Sequence, residues 1–180
     1  MITSGGNSKS YTINPYNIKD NSTIKVCKKP ETEIIKIRYF DPEMPRLEVK
    51  DYGDWIDCYA ANDYDLDPDT FDIFGGPILI DLGFACKLPE GYEAHLAARS
   101  SSFKKWGFIV TNAVGVIDES YCGDNDHWML AVYPTRKSHI NKYDRICQFR
   151  IMKKQPYIIF DEVEKLDNPD RGGFGSTGVN

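Results

Sequence analysis

The stretch from Asn112 to Asp124, with the sequence NAVGVIDESYCGD, has the residue types that a ligand-binding strand and turn would need. Val114 and Val116 alternate with smaller residues, a pattern that is typical of a strand. Gly115 interrupts this strand where a bulge, or the close approach of another group, would require the absence of a Cβ atom. We expect a narrow hairpin that offers a flat ligand its backbone N–H and C=O groups, which must be paired once water is excluded.

An acidic residue ends the strand. Asp118 carries a carboxylate that only accepts hydrogen bonds, so it is suited to take a proton from a reacting group. The aromatic Tyr121 follows three positions later, and Gly123 closes the turn. A surface hairpin with a polar tip would show the same pattern, and this stretch by itself does not separate the two interpretations.

A second group of candidates begins at Arg99, which is followed by three serines. Ser100 or Ser101 is a natural N-cap for one or two helical turns that run to Lys105. Unpaired N–H groups, serine hydroxyls and a guanidinium together form a cradle suited to phosphate. The same tripeptide occurs in ordinary loops, so it indicates an anion site only in combination with other residues.

Further polar candidates lie on two strands and at the C-terminus. Asp57 falls on the polar face of an alternating segment, although a single exposed Asp is usually only solvated. A later strand presents Arg145 and Gln148 as polar tips. The chain closes on RGGFGSTGVN, which has the composition of a floppy tail. If that tail closed over a bound nucleotide, Phe174 could stack on the base.

The composition excludes several classes of protein. One chain of 180 residues, 41% hydrophobic and 13% aromatic, has room for a single domain with a core. A net charge of −5 without a basic stripe argues against a nucleic-acid partner. Five cysteines without paired spacing predict reduced thiols in a cytoplasmic protein, and no disulfide frame or zinc site. No signal peptide or apolar run of about 18 residues is present, so we expect a soluble protein without a membrane partner.

The order of segments predicts an all-β domain, because short apolar runs alternate with glycines and prolines at turn-like intervals. Residues 1–33, rich in Ser, Asn, Thr and Lys, are expected to form an N-terminal extension that is at least partly disordered. Residues 34–166 are expected to form the β domain, with YIIFDEVEKL (157–166) as its last strand. Residues 167–180 are expected to form a Gly-rich arm.

Five segments, taken in this order, resemble the five motifs of the homotrimeric dUTPases, most closely a bacterial and prophage branch. The resemblance covers residues 34–178, and its third and fifth motifs are specific. It implies a distorted jelly-roll β-barrel with one short helix after the Arg-Ser-Ser motif and a flexible C-terminal arm. It further implies hydrolysis of dUTP to dUMP and pyrophosphate, with magnesium (Mg2+) as the cofactor. The active sites of such a homotrimer are shared among subunits.

The resemblance also assigns roles residue by residue. Asp118 positions and activates the water that attacks the α-phosphate, and Asp57 lies near the metal and reaches it through a water molecule. Asn112 bonds the uracil edge, and Tyr121 packs beneath the deoxyribose and excludes a ribose. The substrate-binding residues that the resemblance implies are Arg99, Ser100, Ser101, Asn112, Gly115, Val116, Ile117, Tyr121, Gln148, Arg171, Phe174, Gly175, Ser176 and Thr177.

The chain departs from the family pattern at a few positions. Trp55 stands where many members have Gly, and Cys58 where Leu is usual. Tyr143 replaces the common Gly of the fourth motif. Arg171 is two residues closer to Phe174 than in the commonest arm, which leaves its contact with the γ-phosphate open.

Two alternative functions remain at this stage. A dCTP deaminase, or a bifunctional deaminase, shares the fold and a similar Arg-Ser-Ser segment. A phage-type regulatory role would use a protein partner, and the insertion Gly123–His127 and the N-terminal extension are where that partner would bind.

Overall fold

The structure is a computed structural model that describes residues 32–69 and 76–172. Most of the predicted N-terminal extension and the final eight residues of the predicted arm lie outside these ranges. The strands of the described residues are, in chain order, β1 (Lys36–Tyr39), β2 (Ile56–Tyr59), β3 (Tyr64–Leu66), β4 (Ile78–Asp81), β5 (Phe84–Lys87), β6 (Tyr92–Ala98), β7 (Phe108–Val110), β8 (Gly115–Ile117), β9 (Met129–Pro134), β10 (Ser138–Ile140) and β11 (Arg145–Lys153).

The strands form two larger sheets and two strand pairs, all antiparallel. One sheet has the order β2–β11–β6–β8, and the other has the order β4–β9–β7. β1 pairs with β5, and β3 pairs with β10. The long central strand β11 places Gln148 opposite Asp57 on one side and opposite Ala97 on the other. The prediction of an all-β domain is confirmed.

Aromatic rings from β5, from β11 and from the loop before β9 pack together in the core. Phe84 and Trp128 are fully buried, with ring centroids 5.1 Å apart. The ring of Phe149 meets Trp128 edge-on at 5.1 Å. Burying a large apolar side chain stabilises the folded state by about 1.5–3 kcal/mol, so this cluster holds the sheets in their relative positions.

The short helix α1 spans Ser102–Trp106, directly after the Arg-Ser-Ser segment as predicted. It ends at Gly107, whose φ of 68° is a left-handed conformation that glycine adopts without strain. A Cβ at that position would come within 2.6 Å of the Arg136 side chain. Helix length is therefore set by a glycine that fits both the backbone angle and the packing.

The predicted last strand, YIIFDEVEKL (157–166), is not formed in this chain. β11 ends at Lys153, and the residues beyond Lys154 are exposed and have no regular structure. Tyr157 is 92% exposed and Phe160 is 93% exposed. The apolar run has strand propensity, but no strand edge of the described residues pairs with it, and a strand needs that partner. No helix in the described ranges has both the length and the apolar character needed to cross a membrane.

Candidate active site

Asp57 on β2 lies among three cationic side chains. Its Oδ1 is 2.8 Å from Nε of Arg99, while its Oδ2 is 3.1 Å from Nζ of Lys50 and 3.2 Å from Nη1 of Arg145. Only 14% of the Asp57 side chain is exposed. Burial alone would raise the pKa of this carboxyl, but the neighbouring cations outweigh it and lower the pKa. Asp57 is therefore ionised and held in place at neutral pH.

The sheet explains how these groups meet. Asp57 and Gln148 are direct neighbours across β2 and β11, and Arg99 follows the last residue of β6. Nε2 of Gln148 donates to the carbonyl of Ala98 at 3.3 Å. Three adjacent strands thus bring Asp57, Arg99 and Gln148 to one end of a single sheet. Sequence reasoning missed Lys50, since it lies in an irregular segment with no periodic signal.

The three serines after Arg99 divide into two kinds. Ser100 and Ser101 are exposed, and Ser101 precedes the helix without making a side-chain cap bond. Ser102 is fully buried, where its hydroxyl donates to the Ile146 carbonyl at 2.7 Å and accepts from the Arg99 N–H at 3.1 Å. Ser102 therefore fixes the segment to β11, and the other two hydroxyls are available to a ligand.

The turn that carries Asn112 joins the two larger sheets. β7, before the turn, pairs with β9, whereas β8, after it, pairs with β6. The predicted two-stranded hairpin is therefore corrected to a crossover between sheets. Ala113 takes a positive φ of 59° at its tip. Asn112 is exposed, and its Oδ1 accepts from the Thr111 hydroxyl at 2.9 Å.

β8 is the edge strand of its sheet, so the backbone groups on its outer side have no strand partner within the described residues. Its register with β6 is regular, with Gly115 opposite Leu96. A Cβ at Gly115 would meet the Leu96 side chain at 3.4 Å, an ordinary contact. Of the two alternatives expected at Gly115, a bulge or the close approach of another group, the regular register shows no bulge. The free edge of β8, which includes Val116 and Ile117, is the part of this strand that a flat ligand can reach.

Asp118 follows β8 and is held by its own loop. Its Oδ1 accepts the Ser120 N–H at 2.8 Å and also the Ser120 hydroxyl. The hydroxyl of Ser120, followed by its N–H, lowers the pKa of the Asp118 carboxyl. The Tyr121 N–H lowers the same pKa to a smaller extent, so this exposed carboxylate is ionised at neutral pH. A small polar residue two positions after an Asp is the signal by which sequence reasoning could have found Ser120.

Tyr121 stands at the other side of the same loop. The residue is 42% exposed, and its hydroxyl donates to the His127 carbonyl at 3.0 Å. A cavity of about 270 Å³ opens between Asp118, Tyr121 and His127. The cavity is therefore bounded by the predicted general base and by the predicted sugar-contacting ring.

The candidate residues form two groups. Within the described residues, no hydrogen bond or ion pair joins Asp118 or Tyr121 to the group around Asp57. Arg171 is exposed and lies in the irregular segment after β11. The remaining predicted residues of the arm lie outside the described ranges; they are Phe174, Gly175, Ser176 and Thr177.

The described residues contain no cluster of three or more metal-ligating side chains. Magnesium retains several of its waters and commonly binds through one or two carboxylates together with substrate phosphates. Both oxygens of Asp57 already accept from cations, so this carboxylate suits an indirect contact through water better than direct coordination. The donor set thus fits a metal carried mainly by the substrate.

Comparison with known proteins identifies the family. The dUTPase family model matches residues 56–178. The chain is 53% identical over 145 residues to the SPbeta prophage-derived deoxyuridine 5'-triphosphate nucleotidohydrolase YosS of Bacillus subtilis, covering 81% of this chain and 98% of that protein. It is 33% identical over 150 residues to the deoxyuridine 5'-triphosphate nucleotidohydrolase of Corynebacterium diphtheriae, covering 82% and 94% of the two chains.

Solved structures match at lower identity. The Staphylococcus bacteriophage 80alpha dUTPase with dUPNHPP has a TM-score of 0.64 at 20% identity, and the match covers 82% of this chain and 100% of that one. The phage 80alpha dUTPase is described as one of the phage dUTPases that control the transfer of virulence genes by a proto-oncogenic G protein-like mechanism. A mutant dUTPase from phage phi11 of S. aureus, studied for the coordination of a structural Mg(II) ion, has a TM-score of 0.60 at 17% identity over 76% of this chain and 100% of that one.

These neighbours confirm the predicted dUTPase-like jelly-roll fold. The family model extends over more than half of the chain, and a prophage relative shares 53% of the aligned residues over nearly its whole length. The chain therefore belongs to the dUTPase family, in its phage and bacterial branch.

Proposed function

We propose that this chain hydrolyses dUTP to dUMP and pyrophosphate, and that Asp118 activates the attacking water. The observation that carries the proposal is the state of the Asp118 carboxylate. Ser120 holds Oδ1 and lowers the pKa, so the group stays ionised and in place beside a cavity of about 270 Å³. A fixed, ionised carboxylate is suited to orient a water and accept its proton.

Recognition of the base is assigned to the free edge of β8 and to Asn112. Uracil presents an acceptor, a donor and an acceptor along its pairing edge, which backbone groups and a side-chain amide can match. Cytosine exchanges two of these three, and the resulting unpaired buried groups reject a wrong ligand by a factor of about 10⁴ or more. Beneath the sugar, the Tyr121 ring would clash with a 2′-hydroxyl and select deoxyribose.

The triphosphate is assigned to the group around Asp57. Arg99 and Gln148, with the exposed hydroxyls of Ser100 and Ser101, supply donors for phosphate oxygens. Magnesium, when bound to the phosphates, offsets their negative charge. In this proposal Asp57 serves two purposes, because it holds Arg99 in position and reaches the metal's water shell.

We further propose that the active enzyme is a homotrimer with shared sites. Among the described residues of one chain, the two groups of candidate residues make no polar contact with each other, as expected if each meets its counterpart from a second subunit. The apolar residues after β11 support assembly, since Tyr157, Phe160 and Leu166 are 81–93% exposed. Burial of side chains of this size contributes about 1.5–3 kcal/mol each, which a neighbouring subunit would provide.

A cytoplasmic location is part of the same proposal. Cys58, Cys86, Cys122 and Cys147 are all free thiols, and all but Cys122 are buried. Burial raises the pKa of the Cys86 thiol to about 12, which keeps it protonated and unreactive. A reducing compartment suits such a set of cysteines.

A product assay tests the proposed reaction. Pyrophosphate and ammonia release are measured for dUTP, dCTP, dTTP and UTP, with magnesium and with a chelator. We expect pyrophosphate from dUTP alone, in a metal-dependent reaction. Ammonia released from dCTP would instead identify the deaminase of the same fold, and the proposal would be wrong.

A further inference from the structure

His127 is the last residue of the insertion Gly123–His127. Its side chain is clamped between two side chains from other parts of the chain. Its ring stacks on that of Phe40, with centroids 3.5 Å apart and planes inclined by 7°. Its Nδ1 lies 2.8 Å from Oδ2 of Asp81, at the end of β4. A ring held by stacking on one side and by a carboxylate at its edge has little freedom to move.

Both partners of His127 are themselves fixed. The Phe40 N–H donates to the carbonyl of Gly83 at 3.1 Å, and Oδ1 of Asp81 accepts the Gly83 N–H at 2.7 Å. On the following residue, the Trp128 N–H donates to the carbonyl of Phe84 at 3.0 Å. The backbone of His127 is therefore held between a clamped side chain and a core residue.

The rest of the insertion is anchored in the same way. Nη1 of Arg38 on β1 donates to the Asp124 carbonyl at 2.8 Å, and its guanidinium lies 5.1 Å from the centre of the Phe40 ring. Inside the loop, the Gly123 N–H donates to Oδ2 of Asp126 at 2.6 Å. The insertion is thus attached through Asp124 to β1 and through His127 to Phe40, the residue that follows β1.

The clamped residue also borders the cavity beside Asp118. The His127 carbonyl accepts the Tyr121 hydroxyl at 3.0 Å, and both residues line the cavity beside Asp118. We propose that His127, held by Phe40 and Asp81, is a positioning residue that fixes the Tyr121 ring and so sets the preference for deoxyribose over ribose. The inference rests on the proposed function of the site and gives the insertion a role in it.

The physical reason is steric. A tyrosine ring excludes a 2′-hydroxyl only if it cannot swing away, and Tyr121 is 42% exposed, so packing alone leaves it free to turn. Among the described residues, the Tyr121 hydroxyl makes one hydrogen bond, to the backbone carbonyl of His127. That carbonyl stays in place because the His127 side chain is clamped, and a loosened clamp would let the ring yield to a ribose.

The test measures binding of non-hydrolysable imido analogues of dUTP and UTP, together with kcat/KM for both nucleotides. In His127→Ala and in Phe40→Leu, the ratio of UTP to dUTP affinity should rise about tenfold, the lower end of the discrimination that a pocket makes for one small group. Phe40→Leu keeps the apolar volume and removes the stack, so it serves as the milder variant if His127→Ala does not fold.

A matched control exists elsewhere in the fold. Nδ1 of His139 on β10 lies 2.7 Å from Oδ1 of Asp65, the same kind of contact on the separate β3–β10 pair. His139→Ala should leave the sugar preference unchanged. In a Tyr121→Phe background, where the hydrogen bond to the His127 carbonyl is already absent, His127→Ala should add no further change in the ratio.

Three outcomes would overturn the inference: an unchanged ratio in both clamp variants, an equal rise in His139→Ala, or an additive effect of His127→Ala on Tyr121→Phe. Because binding is measured without turnover, failure of the proposed reaction is seen separately. A chain that binds the dUTP analogue selectively but releases no pyrophosphate from dUTP would contradict the proposed function. The effect of His127→Ala and Phe40→Leu on the affinity ratio would still be measured in such a chain.

Discussion

Asp118 is the residue on which the proposed chemistry depends. Asp118→Asn removes the charge that accepts a proton and keeps the shape of the side chain. We expect kcat to fall about 10²–10⁴-fold, the usual contribution of a positioned acid or base, while the dUTP analogue still binds. Steady-state kinetics and calorimetry measure the two effects. Retention of more than about a tenth of the activity would exclude Asp118 as the general base.

Ser120 is predicted to set the pH range over which Asp118 works. Its hydroxyl lowers the pKa of the Asp118 carboxyl, so the ionised form persists to lower pH. In Ser120→Ala that pKa rises toward its ordinary value. Activity needs the ionised form, so the acid limb of the pH profile of kcat should move to higher pH.

Ser120→Thr retains both donors and is the matched control, with an acid limb close to that of the unchanged chain. Profiles of kcat are compared between about pH 3 and about pH 8, a range that includes the ordinary Asp value of about 3.9. An acid limb that stays in place in Ser120→Ala would show that the hydroxyl does not tune the base.

The sequence predicts single residues well where a motif fixes their role, and poorly where a contact comes from a distant segment. Asp57 and Arg99 are motif positions, and they meet in the structure at 2.8 Å. Lys50 pairs with Asp57, and Phe40 stacks on His127, through the fold alone. A local pattern predicts the element that carries a residue, but it does not predict which side chain from another segment that residue will meet.

One departure from the family pattern has a physical explanation in the backbone. Tyr143, which replaces the common Gly of the fourth motif, takes a positive φ of 69°. Glycine adopts this conformation without strain, whereas a tyrosine needs compensation from its surroundings. The Tyr143 hydroxyl donates to Oδ2 of Asp41 at 2.6 Å, and the Tyr143 N–H donates to the Ala60 carbonyl at 2.8 Å.

At the scale of elements, the start of α1 holds a structural serine, Ser102, next to Ser101, which we propose as a phosphate ligand. Ser102→Ala removes a fully buried donor to the Ile146 carbonyl, and we expect the free energy of unfolding to fall by about 1–3 kcal/mol. Ser101→Ala changes an exposed residue without a cap bond, so unfolding should shift by less than about 0.5 kcal/mol. Activity should nevertheless fall in Ser101→Ala, if its hydroxyl binds phosphate.

Urea denaturation at one fixed protein concentration measures both stabilities, since assembly makes them depend on concentration. Equal loss of stability in the two variants would contradict the division of roles. Unchanged kcat/KM for dUTP in Ser101→Ala would show that its hydroxyl is not a phosphate ligand.

The strands show which elements a sequence pattern can predict. The segments that became β6 and β11 alternate regularly, and they pair with each other in the interior of a sheet. The run 157–166 is as apolar as a strand, yet it finds no partner among the described residues of its own chain. Sequence periodicity gives the propensity for a strand, but the available edges decide whether the strand forms.

At the scale of the whole molecule, the proposed trimer makes a prediction about mixtures of inactive chains. In the shared-site proposal, one subunit supplies Asp118, a second supplies the phosphate-binding residues around Asp57, and a third supplies the arm. A chain stopped after Asp170 lacks the arm, and an Asp118→Asn chain lacks the base. Each should form trimers and be nearly inactive by itself.

Mixed trimers of these two chains should regain activity. Some sites then combine an intact Asp118 from a truncated chain with an intact arm from an Asp118→Asn chain, and the recovered fraction follows the statistics of assembly. Light scattering must first show that both variants are trimers, and exchange of labelled subunits must show that they have mixed. If each arm instead closes over the Asp118 loop of its own subunit, every site keeps one defect, and the mixture stays inactive. With subunit exchange established, an inactive mixture would contradict sites that are shared in this way.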